Sequence, residues 1–182
     1  MDDLVLARRL AMGDEAAFEE LVLRETASVF RVCHRIMGSV EEAEDAVQET
    51  FVLAYRALDS YRGDGPPGAW VSRIAVRECW RRHKAVVRRA ANTTALDEVV
   101  MDTTADPMDV AREVVSAEER AEIRRAVEAL PEPYRETVSL RFFGDLSPAD
   151  IAAATGRPEA TVRTHLHRGL ERLRIRVRGG AR

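Results

Sequence analysis

Apolar residues recur along this chain at spacings of three and four, and no stretch alternates strictly. That period predicts helices throughout and no sheet. Leu4, Leu6, Leu10 and Met12 mark a short helix over about 2–12, after which Gly13 interrupts and Asp14 supplies an N-cap. A second helix runs to about Met37, with Phe18, Leu21, Val22, Val29, Val32, Cys33 and Ile36 on its inner face and Gly38-Ser39 closing it. The stripe Val40, Ala43, Ala46, Val47, Thr50, Phe51, Ala54, Tyr55 and Leu58 sets a third helix over about 40–58. Its acids cluster near the start and Arg56 near the end, as the helix dipole favours. Ser60 to Gly68 is rich in glycine and proline and predicts a loop. Val71, Ile74, Ala75 and Val76 then place a fourth helix over about 69–89.

From 91 to 110 the periodicity lapses. The stretch ANTTALDEVVMDTTADPMDV is acidic and threonine-rich and predicts a flexible linker. Val114, Val115, Ile123, Val127 and Leu130 restore a helical stripe over about 111–130, which Pro131 and Pro133 end. Val138, Leu140, Phe142 and Phe143 give another helix over 134–143. The expected fold is therefore all-α. Two small helical domains, residues 1–90 and 112–182, are joined by an acidic linker over 91–111.

Residues 145–177 carry the sharpest local pattern. Ser147-Pro148-Ala149-Asp150 has the form of a capping box with proline at the first helical position. Ile151, Ala154 and Thr155 line that helix, and Gly156 ends it. Pro158 opens a second helix whose inner face is Val162, Leu166, Leu170, Leu173 and Val177. Ala152, Gly156 and Val162 fall where a helix-turn-helix needs a small residue, a turn residue and a buried aliphatic one. With Val162 and Leu166 inward, Arg163, Thr164, His167 and Arg168 point outward. These residue types suit base edges and phosphates.

Charge changes the picture more than composition does. The formal net charge of -3 argues against a nucleic-acid binder, but its distribution argues for one. From Gly156 to Arg182 there are eight arginines against Glu159 and Glu171. From Arg73 to Arg89 there are seven basic residues against Glu78. From Asn92 to Glu119 there are eight acids against Arg112. Two basic patches separated by an acidic segment make the overall charge a poor guide. Tyr61, Arg62, Trp70 and Trp80 interleave with Arg73, Arg77, Arg81 and Arg82, a mixture that suits single-stranded nucleic acid. The competing reading puts both tryptophans in the core. On the third helix Asp45, Gln48, Glu49 and Val52 share the outer face, which is either a partner surface or a solvated acidic face.

Other chemistries find little support. Cys33 and Cys79 are the only cysteines, too few and too far apart in sequence for a zinc site or a disulfide framework. His165 and His167, two apart on a helix, point to different faces and have no acid or cysteine at ligand spacing. No phosphate-binding glycine loop or nucleophile arrangement occurs, so neither an enzyme nor a cofactor or metal is expected. The N-terminus has charges throughout and no apolar run of signal-peptide length, and no stretch is apolar enough to span a bilayer, so the expected location is the cytoplasm.

The arrangement resembles a bacterial RNA polymerase sigma factor of the sigma-70 family, extracytoplasmic-function (ECF) subfamily. The carriers are Asp45-Ala46-Val47-Gln48-Glu49-Thr50-Phe51, the aromatic-arginine-glycine loop, the helix from Trp70 through Ile74-Ala75, Leu130-Pro131-Glu132-Pro133-Tyr134-Arg135 and the helix-turn-helix. The resemblance covers about 14–90 and 112–177. It implies core RNA polymerase and promoter DNA as partners, and an anti-sigma factor as inhibitor. It assigns Asp45, Gln48, Glu49 and Val52 to the clamp helices of the largest polymerase subunit. It assigns Tyr61, Arg62, Trp70, Arg73, Arg77, Trp80, Arg81 and Arg82 to the −10 element. Arg157, Thr161, Arg163, Thr164, His167 and Arg168 fall to the −35 element. Many relatives carry asparagine where this chain has Arg77, and often aspartate near Arg81, so this chain is more basic there. A stand-alone helix-turn-helix regulator is the other reading. It would bind its operator without core polymerase.

Overall fold

The computed structural model describes residues 2–92 and 116–180, and these form α-helices joined by short turns. In order they are α1 (Asp3–Ala11), α2 (Glu15–Met37), α3 (Val40–Arg56), α4 (Pro67–Asn92), α5 (Ala117–Glu128), α6 (Tyr134–Phe142), α7 (Pro148–Thr155) and α8 (Glu159–Gly180). A single 3-10 turn, Leu58–Ser60, follows α3.

Local chemistry sets the boundaries. Asp14 accepts from the Ala16 and Ala17 amides, satisfying N–H groups that the helix cannot, a contribution of about 1 kcal/mol. Gly38 ends α2 in the left-handed region at φ 80°. Ser39 caps α3, and Ser116 with Glu119 and Ser147 with Asp150 form reciprocal capping boxes.

The N-terminal group is α1 to α4. Leu21, Val29, Val32 and Ile36 of α2 pack with Ala43, Ala46 and Ala54 of α3 and with Val71, Ala75 and Val76 of α4, all fully buried. The small alanines of α3 let it approach α2 closely. Cys33 and Cys79 are both buried in this layer. Contact with Cys33 and then burial push the Cys79 thiol far up, so it stays protonated as a core group. The C-terminal group is α5 to α8, closed around Val127, Leu130, Val138, Leu140, Ile151 and Val162. α4 also packs against α6 and α7, so one continuous core joins the two groups.

Several expectations are corrected. The loop expected through Gly68 ends sooner, because Pro67 begins α4; proline suits a first helical position, where its missing N–H costs nothing. α4 continues to Asn92, past the expected start of the linker, and the rest of the 91–111 segment lies outside the described residues. α5 starts at Ala117 after an extended Ser116, and Val114 and Val115 lie outside the described residues, as does the side chain of Val177. Tyr55 and Ile123, both placed on inner stripes, are about half exposed. Tyr55 sits at the stripe's edge and meets Phe18 edge-on at 5.2 Å. In α5 the buried position next to Ile123 is taken by Arg124.

Candidate polymerase and promoter interfaces

The helix-turn-helix forms as its sequence predicts. Gly156 closes α7 at φ 66°, and its amide reaches the last turn's carbonyls. Val162 is wholly buried against α7, which fixes the rotation of α8. Arg163, Thr164, His167 and Arg168 are therefore exposed on the outer side, and Thr161 is half-buried beside them. Arg163 is held by Glu159 at 2.6 Å across one turn, and Thr164 Oγ1 donates to the Ala160 carbonyl at 2.9 Å. His165, the inner histidine, stacks edge-on against Tyr134 at 5.6 Å. Burial, then Arg157 and Arg168, hold its pKa below the usual imidazole value, so it stays neutral in the helix packing. Arg157 is turned inward, with Nη1 2.8 Å from Glu136 Oε2, an ion pair without hydrogen-bond alignment.

On α3 the inward alanines leave Asp45, Gln48 and Val52 exposed and Glu49 half-buried. Val52 is 43% exposed, an apolar side chain on an otherwise charged and polar face. These four residues share one face, as the spacing predicts.

The basic face of α4 divides into free and engaged residues. Arg62, in the loop before α4, and Arg77, on α4, are exposed and unpaired among the described residues. Arg81 and Arg82 converge on Glu78, whose buried carboxylate takes Arg81 Nε and Nη2 and Arg82 Nε, each at 2.7 Å. Burial pushes the Glu78 carboxyl up, but the two arginines outweigh it and hold it below the usual range. Arg73 points toward the C-terminal group. Its Nε donates to Glu136 Oε1 and its Nη1 to the Ala154 carbonyl, both at 3.0 Å.

The aromatic rings expected to stack on bases are covered in this arrangement of the free chain. Tyr61 is buried, its ring against Trp70 at 4.8 Å and its hydroxyl donating to the Gly65 carbonyl at 2.7 Å. Burial, then Asp3 and Asp64, push its phenol up to about 12. Trp70 is partly buried and packs on the core, as the competing reading had it. Trp80 is buried between the two groups, where its Nε1 donates to Ser139 Oγ at 2.9 Å and its ring lies near Phe143. In this arrangement neither Tyr61 nor Trp80 offers a ring face to a base, because the C-terminal helices and the loop cover them. A cleft of about 220 Å³ opens beside Trp80, lined by Arg77, Arg81, Lys84, Glu132, Arg135 and Glu136.

Sequence reasoning missed Glu136, Ser139 and Gly169. Glu136 and Ser139 sit on a helix whose hydrophobic stripe is weak, so a carboxylate and a hydroxyl on its buried side carried no signal. Gly169 did carry one: a glycine in mid-helix marks a close approach. A Cβ there would lie 2.7 Å from Val138 Cγ2.

Comparison with known proteins places these surfaces in a family. Residues 21–89 match Sigma-70 region 2, and residues 120–173 match Sigma-70, region 4. The ECF RNA polymerase sigma factor SigW of Bacillus subtilis is 32% identical over 94% of this chain and 94% of its own. The structure of CnrH in complex with the cytosolic domain of CnrY matches 97% of each chain at 25% identity, with a TM-score of 0.60. The sigma factor RpoE of Bartonella quintana, solved with the anti-sigma factor NepR, shares the fold at a TM-score of 0.55 and 20% identity, over 88% of this chain and 96% of its own. Among the described residues no helix is long and apolar enough to cross a membrane. The chain belongs to the sigma-70 family of RNA polymerase sigma factors, in its ECF group.

Proposed function

We propose that this ECF sigma factor divides its work between residues 1–90 and 112–182, with 91–111 as the connection. Asp45, Gln48, Glu49 and Val52 meet core RNA polymerase. The loop with Tyr61 and Arg62 and the face of α4 with Trp70, Arg73, Arg77, Trp80, Arg81 and Arg82 receive the opened −10 element. Arg163, Thr164, His167 and Arg168, with Arg157 and Thr161 at the entry, read the −35 duplex. The protein itself carries no catalytic step; polymerase supplies the chemistry. Its place of work is the cytoplasm, with polymerase, and an anti-sigma protein is its natural inhibitor.

The observation that carries this reading is the rotation of α8. Val162, wholly buried, turns Arg163, Thr164, His167 and Arg168 outward together. A second DNA-facing surface on α4, in the same chain, then calls for a protein that touches a promoter at two places.

The test is promoter binding and run-off transcription with and without core polymerase. Promoter-specific transcripts that need both core and this chain support the reading. Tight operator binding by the chain alone, unaltered by core, points instead to the stand-alone regulator.

A further inference from the structure

We infer that Glu25 of α2 is a positioning residue for the proposed −10 site: its carboxylate seats the first turn of α4, and with it the loop that this turn closes. The inference rests on the −10 reading of that loop and of α4. α4 begins Pro67-Gly68-Ala69-Trp70. Gly68 lies so close to Glu25 that a Cβ on it would stand 2.8 Å from Oε2 and 2.9 Å from Oε1. Both carboxylate oxygens therefore lie against the backbone of the helix's first turn. Ser28 Oγ donates to Oε2 at 2.8 Å from farther along α2, which orients the carboxylate. Any side chain at position 68 would push that carboxylate aside.

α4 needs an acid from another element. The first-turn N–H groups of a helix carry partial positive charge and favour an anion beside them. Each of the other α-helices has an acid in its own first turn, from Asp3 of α1 to Glu159 of α8. α4 has none. The residue before it, Pro66, has no side-chain oxygen with which to cap. The Ala69 and Trp70 amides reach the Pro66 carbonyl, whereas the Gly68 amide has no partner among the described residues. Glu25 brings the missing negative charge to that place.

The same turn carries the support of the loop. Trp70 stands on it, and its ring meets Tyr61 at 4.8 Å. The Tyr61 hydroxyl donates to the Gly65 carbonyl at 2.7 Å, which closes the loop on itself. On its other side the loop turns at Gly63, φ 74°, close to Ala7 and Ala11 of α1. The seat of α4's first turn thus reaches the loop through Trp70 and Tyr61, and Arg62 is presented to DNA from that frame. A loop held in one conformation before DNA arrives loses little entropy on binding and keeps its shape for one base over another. Slack at Gly68 spreads the loop over several conformations and blurs that choice.

The experiment uses holoenzyme assembled from core polymerase with the wild-type chain, Glu25→Gln or Gly68→Ala. Glu25→Gln keeps the shape and removes the charge. Gly68→Ala displaces the carboxylate, which is the end of a flexible side chain, and puts a better helix former into α4. Transcription from a library of −10 variants measures base preference, a −35 library is the control, and thermal unfolding of each free chain measures stability. Both variants should flatten −10 preference by about two- to fivefold, the worth of a charge at a helix start. Preference at −35 should not change, and Gly68→Ala should melt no lower than wild type, a combination that a merely structural role does not give. If Glu25→Gln fails to fold, Gly68→Ala decides alone. Unchanged −10 preference in Gly68→Ala overturns the role. So does an equal loss at both elements, which marks general destabilisation. Failure of the −10 reading is told apart by Arg77→Ala with Arg81→Ala, two changes away from Glu25 and Gly68. If that holoenzyme opens promoters normally, the −10 reading has failed, whatever Glu25 does.

Discussion

Gly169 of α8 lies against Val138 of α6 so closely that a methyl group on it would meet Val138 Cγ2 at 2.7 Å. Val138 is buried and β-branched, with one favoured rotamer in a helix, so it cannot swing away. Alanine normally improves a helix over glycine by about 1 kcal/mol. Overpacking costs about 1–3 kcal/mol and should win here. Gly169→Ala should therefore lower stability in urea unfolding, and Val138→Ala added to it should recover part of the loss. A Gly169→Ala chain more stable than wild type would show that the helices have room.

The proposed polymerase face tests cleanly because little of it is structural. Asp45 is exposed and Glu49 half-buried, and neither makes a close ion pair among the described residues. Asp45→Arg with Glu49→Arg should leave stability within about 0.5 kcal/mol. Co-purification with core polymerase should fall sharply, since each reversal sets like charge against a basic partner. Glu78 first, and Glu49 at a distance, raise the Arg81 guanidinium pKa, so single reversals should be compared. Wild-type recovery with core by the double variant would remove this face from the interface.

How far these surfaces were legible depended on whether their determinants were local. The helix-turn-helix could be read because Ser147, Asp150, Gly156 and Val162 act within a turn or two of themselves. The outer placement of Val52 followed from period alone. The position of Trp80 could not be read, because it is settled by Ser139 on another helix. Arg73 and Arg157 read as free cations in sequence, because the Glu136 that lies between them is remote from both along the chain. Tyr55 and Ile123 were misplaced because stripe edges are decided by what packs alongside. Pro67 could not be read from its type alone, because proline both breaks helices and begins them.

Glu136 should make stability pH-dependent with a definite sign. Burial pushes its carboxyl up, but hydrogen bonding and charge from Arg73, then the charge of Arg157, outweigh it and leave the pKa below its ordinary value of 4.5. A depressed folded pKa adds stability that is fully present above 4.5 and is lost as pH falls through the folded value. The two arginines stay charged across that range. Glu136→Gln has no such proton to gain. The stability gap between wild type and Glu136→Gln should be widest near neutrality and close on acidification. Thermal unfolding of both proteins across that range is the measurement, and a gap that persists unchanged into acid would sink the assignment.

Arg163 and Arg168 should fail differently at the proposed −35 surface. Val162 fixes α8 so that Arg163 and Arg168 both face outward, but at different depths along the helix. Arg163 lies in the N-terminal half, which enters the major groove in this motif. In the free protein it rests on Glu159 at 2.6 Å, an exposed pair worth little and readily exchanged for a base edge. Arg168 lies one turn farther along and is placed to meet a phosphate. Arg163→Ala should cost about 1–3 kcal/mol and flatten preference at one or two base pairs. Arg168→Ala should weaken all sequences alike and lower the salt slope by about one. Transcription from a library of −35 variants by each mutant holoenzyme, with binding titrated against salt, distinguishes the two. Unchanged base preference in Arg163→Ala would mean that the side chain holds backbone and that another residue of α8, Thr164 or His167, does the reading.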